Sequence, residues 1–256
     1  MNIKAVVKVM NFQALIRVDS ARRIAEKYSA MEEEVTRMLK LILSNRILQQ
    51  DKLLELPDPS KPVLKIYIGS DFGFCGSVNS SVSAAVKRQS GGNSVVIGKK
   101  LRKNRGADVC ITIADIEQEF SEVYAYLEKA VNENCWSAID VVYNHYFNSS
   151  SIKFTEKRIY PMELDTKDSG RDYIVEGDAK SMIKRMMLSC LCYEVKIAIA
   201  SSVASENILR QNTTQESLKK LDELEEAELF DKRRRATQAA VEKAVDNFTK
   251  QKLVAR

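Results

Sequence analysis

A chain of 256 residues, 45% apolar and 29% charged, can bury a sizeable core and hold one large or two modest domains. Its 40 basic and 35 acidic residues leave a net charge of +5, a mild bias that does not by itself argue for a nucleic-acid partner. Five cysteines, an odd number with no CxxC pair, suit a reducing compartment better than a disulfide framework.

Glycine and proline punctuate local structure more strongly than other residues, and all nine glycines and four prolines fall between Pro57 and Gly177. The chain therefore divides into a helical front (1–56), a mixed middle (57–177) and a helical back (178–256). In the front, Ile3, Val7, Met10, Ala14, Val18, Ala21, Ile24, Tyr28, Met31, Val35, Met38 and Ile42 follow at steps of three or four. That is a heptad-like seam on roughly 60 Å of helix, and so narrow a stripe needs a partner helix. The back offers one through Met186, Leu191, Val195, Ala198, Leu218, Leu221, Ala236, Ala240, Ala244 and Phe248, less regularly spaced. As one helix the back would exceed ~110 Å. Cys190 and Cys192 would then point to different sides of it, which argues against a shared metal.

The middle alternates. VLKIYIG (63–69), SVVIG (94–98), DVCITI (108–113), AIDVVYNHYF (138–147) and IKFTEKRIYPM (152–162) read as strands, with helices predicted over 78–89 and 116–132. The expected fold is α/β: a long antiparallel coiled coil of N- and C-terminal helices plus a small central Rossmann-like domain. No uninterrupted apolar run approaches the roughly 20 residues that span a bilayer. MNIKAVVKVM lacks the apolar core and cleavage site of a signal peptide, so the chain reads as unprocessed or already mature.

The stretch SDFGFCGSVNSS (70–81) carries an acid, a thiol and closely spaced glycines at a strand end. It matches neither the phosphate-binding GxxxxGK[ST] nor the dinucleotide-binding GxGxxG. Cys75 at a helix N-terminus could be an activated thiolate, but it would need a base, and the single histidine, His145, lies in another strand. The blander expectation is a structural turn: Cys75 as a small buried side chain, Asp71 accepting amide hydrogen bonds within the turn, Gly73 and Gly76 taking conformations other residues resist. Two further function classes stay open. One is a nucleic-acid-binding arm using KKLRKNR (99–105) and DKRRR (231–235); the other is an enzyme using Asp71, Cys75 and Asp115 at strand ends.

SDFGFCGSVN resembles the segment DxGLCGxxN of the gamma subunit of rotary F-type ATP synthases. SSVASENILRQ resembles the family's "S.aSEhaaRm", which opens its C-terminal helix, at Ala204, Ser205, Glu206 and Arg210. RRRATQAAVEKAV resembles "N.aRQaaIT.Ei.eI" through Gln238, Ala239, Ala240 and Val241, and KVMNFQALI resembles "SVkNTqKI" through Val9, Asn11 and Gln13. DVVYNHYFNSSSIKFTEKRIYPMEL is similar to the strand pair carrying "vYN.F.S". The departures are Phe72 where a basic residue is usual, Phe74 for leucine, Val18-Asp19 for Ala-Met, Glu242 at a threonine position, and TTQESLKKLDELEEAELFDKRRR in place of "AT.NA".

The resemblance implies a rotor shaft that makes no bond itself and takes no cofactor. It would turn inside a ring of three alpha and three beta subunits, with a foot against the epsilon subunit and the c-ring, no nucleic acid, and membrane attachment through partners. The membrane would be the bacterial inner membrane, the mitochondrial inner membrane or the thylakoid. By position in the motifs, the expected partner contacts are Asn11, Asp19, Gln238 and Glu242.

Overall fold

A computed structural model describes residues 3–45, 57–73, 75, 78–88, 93–101, 107–148, 151–162 and 175–254. Helix α1 runs over Ile3–Leu43 and helix α4 over Ala179–Val254, 41 and 76 residues. Neither contains glycine or proline, so nothing in them interrupts the hydrogen-bond ladder. Helix α1 stops where the Ser44 hydroxyl turns back to donate to the Leu41 carbonyl at 3.1 Å, and Ser44 and Asn45 are both buried there. The remainder of the expected front segment, 46–56, lies outside the described residues.

Between the helices lie β1 (Val63–Ile68), α2 (Val78–Arg88), β2 (Ser94–Ile97), β3 (Val109–Ile111), α3 (Ile116–Glu133), β4 (Ala138–Asn148) and β5 (Ser151–Tyr160). The strands form one sheet in the order β3-β2-β1-β4-β5, parallel except for β5, which returns antiparallel along β4. Alternation along the strands separates two apolar layers. Leu64, Ile66, Ile68, Val95, Ile97, Val141 and Tyr143 face the larger core with α3 and the first part of α4; Tyr67, Val96 and Val142 face Val82 of α2. A helix on each side of a parallel sheet is the architecture that the alternating pattern predicts.

The seam of α1 is only partly the expected one. Ala14, Val18 and Ala21 are buried, whereas Ile3, Ile24, Met31 and Met38 are exposed and Leu39, off the seam, is fully buried in the main core. Near its C-terminal end α1 contributes Leu39, with Ile42 and Leu43 partly buried beside it, to the core that also holds sheet and α4 residues, so the buried face departs from the coiled-coil stripe. On α4 the seam fails in a different way. Leu191, Val195 and Ala198 are buried, but Ala236, Ala240 and Ala244 are exposed because α1 has ended before reaching them. Lys4, one residue into α1, pairs with Asp222 and Glu225, each at 2.6 Å. Helix α4 therefore continues roughly 30 residues, about 45 Å, beyond its partner. By length and composition α4 also carries a window apolar enough to cross a membrane, and 61% of that window is buried inside the protein, as for a core helix.

Candidate functional site

In open α/β sheets ligands settle in the crevice at the carboxyl ends of the strands where the strand order reverses, here between β1 and its neighbours. In this chain the loop after β1 is bonded across the neighbouring strand ends. The Asp71 carboxylate accepts backbone N–H groups of Lys99 at 2.7 Å, Ile113 at 3.1 Å and Ala114 at 3.0 Å. It thus ties the end of β1 to the ends of β2 and β3, a role beyond the turn in which it sits. The glycine requirement also lies elsewhere. A Cβ on Gly69 would meet Leu101 at 2.6 Å, and Gly98 has φ +123° and approaches Gly69 closely; a Cβ on Gly73 would meet nothing within 4 Å. Gly76 lies outside the described residues.

Cys75 is buried, with Sγ 3.5 Å from Asn79 Nδ2 and 3.6 Å from both Ser70 Oγ and the Phe72 carbonyl. His145 is engaged elsewhere, its Nδ1 lying 3.3 Å from both Tyr143 Oη and Ser201 Oγ. Asp115 accepts a hydrogen bond from the Thr112 hydroxyl at 2.5 Å at the start of α3. The residues of the enzyme alternative are therefore each occupied in local structure. Cys190 meets Thr36 of α1 at 3.5 Å while Cys192 sits in the core, where burial raises its thiol pKa to about 11.

The SSVASENILRQ motif does not open α4; it lies more than twenty residues inside it, against the same loop. Ser202 donates to the Gly69 carbonyl at 3.4 Å, Ser205 to the Asn144 carbonyl at 2.9 Å, and the Ser201 hydroxyl accepts the Tyr146 amide at 2.9 Å. Arg210, 6% exposed, pairs with Glu206, 3% exposed, and donates to Asn207 Oδ1 at 2.7 Å and to the Gly73 carbonyl at 3.3 Å. Burial raises the Glu206 pKa, with the Arg210 guanidinium opposing it. Every one of these polar groups is satisfied, so they can be buried without a desolvation penalty left open. The guanidinium of Arg210 also lies over the Phe72 ring, 5.5 Å from its centroid, and that of Arg17 on α1 lies 5.3 Å from the same centroid. At a half-exposed ring each such contact contributes ~0.5–1 kcal/mol.

The four expected partner contacts do not form one site. Asn11 donates its amide to the Gln211 carbonyl at 3.0 Å and to Thr214 Oγ1 at 2.9 Å, across the helix pair. Asp19 is exposed on α1 and pairs with Arg23 at 2.8 Å. Gln238 and Glu242 share one face of the bare end of α4, beside Phe230, Arg234 and Val241, and both are exposed. The pairing of Asn11 with Thr214 places Asp19 about 45 Å along the axis from Gln238. Sequence reasoning missed Arg17 and Phe72 as a pair, because their meeting depends on where α1 passes the loop.

A helix pair rooted in a mostly parallel sheet, with one helix continuing well beyond its partner, defines a rod-bearing α/β protein. A family model described as ATP synthase matches residues 1–245. The ATP synthase gamma chain of Clostridium novyi (strain NT) is 29% identical over 213 residues, 74% of each chain. That of Ehrlichia ruminantium (strain Welgevonden) is 21% identical over 243 residues, 86% of each chain. In solved structures, a chain of the central stalk and c-ring assembly of the Tetrahymena thermophila mitochondrial ATP synthase shares the fold, with a TM-score of 0.60 at 20% identity over 83% of this chain and 99% of that one. The chain belongs to the ATP synthase family, and the relatives it aligns with along most of its length are gamma chains.

Proposed function

We propose that this chain is the central rotor shaft of a rotary F-type ATP synthase, coupling ion-driven rotation of a c-ring to conformational change in a ring of three alpha and three beta subunits. The observation that carries the reading is the bare end of α4. From Asp222 to Val245 every residue is exposed, including Leu224, Leu229, Phe230, Val241 and Val245, and among the described residues no other helix covers them. Exposed apolar residues on such a length suit a surrounding sleeve of partner subunits. The N-terminal half of α1 adds Val9, Phe12, Leu15 and Ile16, also exposed, on the same shaft.

On this reading residues 1–56 and 178–256 are the shaft and 57–177 the foot, which meets the epsilon subunit and the c-ring. Asp19, Gln238 and Glu242 offer exposed polar groups to the alpha and beta ring, and Asn11, whose amide nitrogen is committed to α4, offers its carbonyl oxygen. On the same reading the subunit is non-catalytic and leaves the chemistry of ATP to its partners. It is held peripherally on an energy-coupling membrane, the bacterial inner membrane or its organellar counterparts. Neither a nucleic-acid arm nor a separate enzyme draws support from the relatives. The experiment is to tag the protein in its native cell, solubilise the membranes gently and measure the stoichiometry of what co-purifies. Three alpha and three beta ATPase subunits per copy is the expected result, and a soluble monomer or a nucleic-acid complex without them would overturn it.

A further inference from the structure

Helix α4 is joined to the sheet domain at many points, through Ser201, Ser202, Ser205 and Arg210. Helix α1 is not. Among the described residues, the hydrogen bonds, ion pairs and ring contacts of Lys4, Asn11, Tyr28 and Thr36 cross to α4, and that of Arg17 reaches the sheet domain, at Phe72. Phe72 in turn is fixed from both sides in sequence. Asp71 before it is bound to three amides at the ends of β2 and β3, and the Gly73 carbonyl after it accepts Arg210 Nε at 3.3 Å. The ring is 53% exposed and lies at a hollow of about 310 Å³ lined by Met10, Gln13 and Ala14 of α1. Arg17 has no carboxylate within ion-pair distance among the described residues, whereas Arg210 has Glu206.

We infer that Phe72 is a positioning residue that pins the foot to both shaft helices at once, its ring held beneath Arg17 of α1 and Arg210 of α4. The pin lets a twist of the sheet domain reach α1 directly as well as through α4. The choice of a neutral ring matters, because two guanidinium groups converge on it and a third cation there would repel both. The π face attracts each without needing a buried counter-ion. Because the ring is half exposed and outside both apolar cores, its replacement leaves the fold intact.

The pin itself stands on geometry; its role in torque rests on the rotor reading, and two measurements keep these apart. In the full-length chain, hydrogen exchange followed by mass spectrometry is read for peptides covering 10–18 and 187–203 in Phe72→Leu, Phe72→Trp and Phe72→Arg. Phe72→Leu keeps apolar bulk without the π face, and is expected to speed exchange over 10–18 by about fivefold while 187–203 is unchanged. Phe72→Trp restores protection and Phe72→Arg loses more than Phe72→Leu. Equal exchange in Phe72→Leu and the native chain overturns the pin, whatever the protein's partners. In the purified ATPase complex, Phe72→Leu is expected to keep ATP hydrolysis and lower the ions transported per ATP, with Phe72→Trp restoring the ratio. A native ratio in Phe72→Leu overturns the role in transmission, and failure to assemble with alpha and beta subunits in the native chain overturns the rotor reading alone.

Discussion

The two halves of α4 are one helix built on opposite principles. From Ile183 to Thr214 it is embedded between α1 and the sheet, and even Ser202, Ser205, Glu206 and Asn207 are buried. From Asp222 onward every described side chain to Val245 is exposed, and helicity rests on propensity, with Glu, Lys, Arg, Ala and Leu prevailing and no glycine or proline. The contrast shows how a shaft is anchored at one end and left free at the other. The embedded half is fixed by satisfied polar groups that define one position along the sheet; the bare half has no partner geometry of its own and can face several surfaces in turn.

The sharpest way to break this contrast is to remove the embedded cation. Arg210→Leu leaves the Glu206 carboxylate buried without its partner and is expected to cost about 3–5 kcal/mol in urea-induced unfolding. Removing both, as Arg210→Leu with Glu206→Leu, is expected to recover most of that loss, since the penalty lies in the stranded charge. The matching change in the bare half, Arg234→Ala, is expected within about 0.5 kcal/mol of the native chain. Equal effects at positions 210 and 234 would erase the distinction.

Next in size is the joint beneath the embedded half. Asp71→Asn keeps the side-chain shape but turns an amide nitrogen toward three backbone donors, so at least one of the bonds to Lys99, Ile113 and Ala114 is lost. Partial solvent access moderates the cost to about 1–2 kcal/mol. The check is the unfolding midpoint together with the amide exchange of Ile113 and Ala114. A variant with native protection at both amides would show that the carboxylate does not tie these strand ends together.

Much of this architecture is legible in the sequence, for identifiable reasons. The five strands and the two short helices fall within two residues of the expected bounds because glycine and proline confine them and alternation marks the sheet. The extent of α4 follows from the absence of either residue after Gly177. What escapes is contact between distant segments. Asp71 reads as a turn residue, but its partners are 28 to 43 positions away. Leu39 is off the heptad seam yet fully buried, because the core it joins includes sheet residues that no periodicity argument contains. The polar SSVASENILRQ motif would pass for a solvated face; it is buried because Ser201, Ser202, Ser205 and Arg210 find backbone partners across the joint while Glu206 and Asn207 pair with Arg210 within the helix. Asp19, Gln238 and Glu242, the residues proposed to meet partners, are exposed and have no local signature at all, since what they would touch lies outside the chain.

The smallest expected effect tests how dry the embedded region is where β4 meets α4. His145 lies between Tyr143 and Ser201 with its ring edge against Phe147, centroids 4.4 Å apart. Burial first, and the nearby Lys157 second, hold its imidazole pKa below the ordinary 6.5. The folded chain therefore stays neutral at pH values where the unfolded chain has already bound a proton, so stability is complete above 6.5 and is lost as pH falls through that value toward the folded pKa. Lys157 is itself paired with Glu194 of α4 at 2.7 Å, so charging His145 adds a cation beside an existing ion pair on the face that joins strand to helix. Because this is the single histidine in the chain, His145→Gln isolates the contribution. The difference in unfolding free energy between native and variant chains, measured from pH 7.5 to 5.5, should shift steadily against the native chain as pH falls. Glu206, whose raised pKa gives a slope of opposite sign, cancels in that difference. A difference independent of pH would mean that His145 is solvated like the unfolded chain and that the embedded half of α4 ends before Ser201.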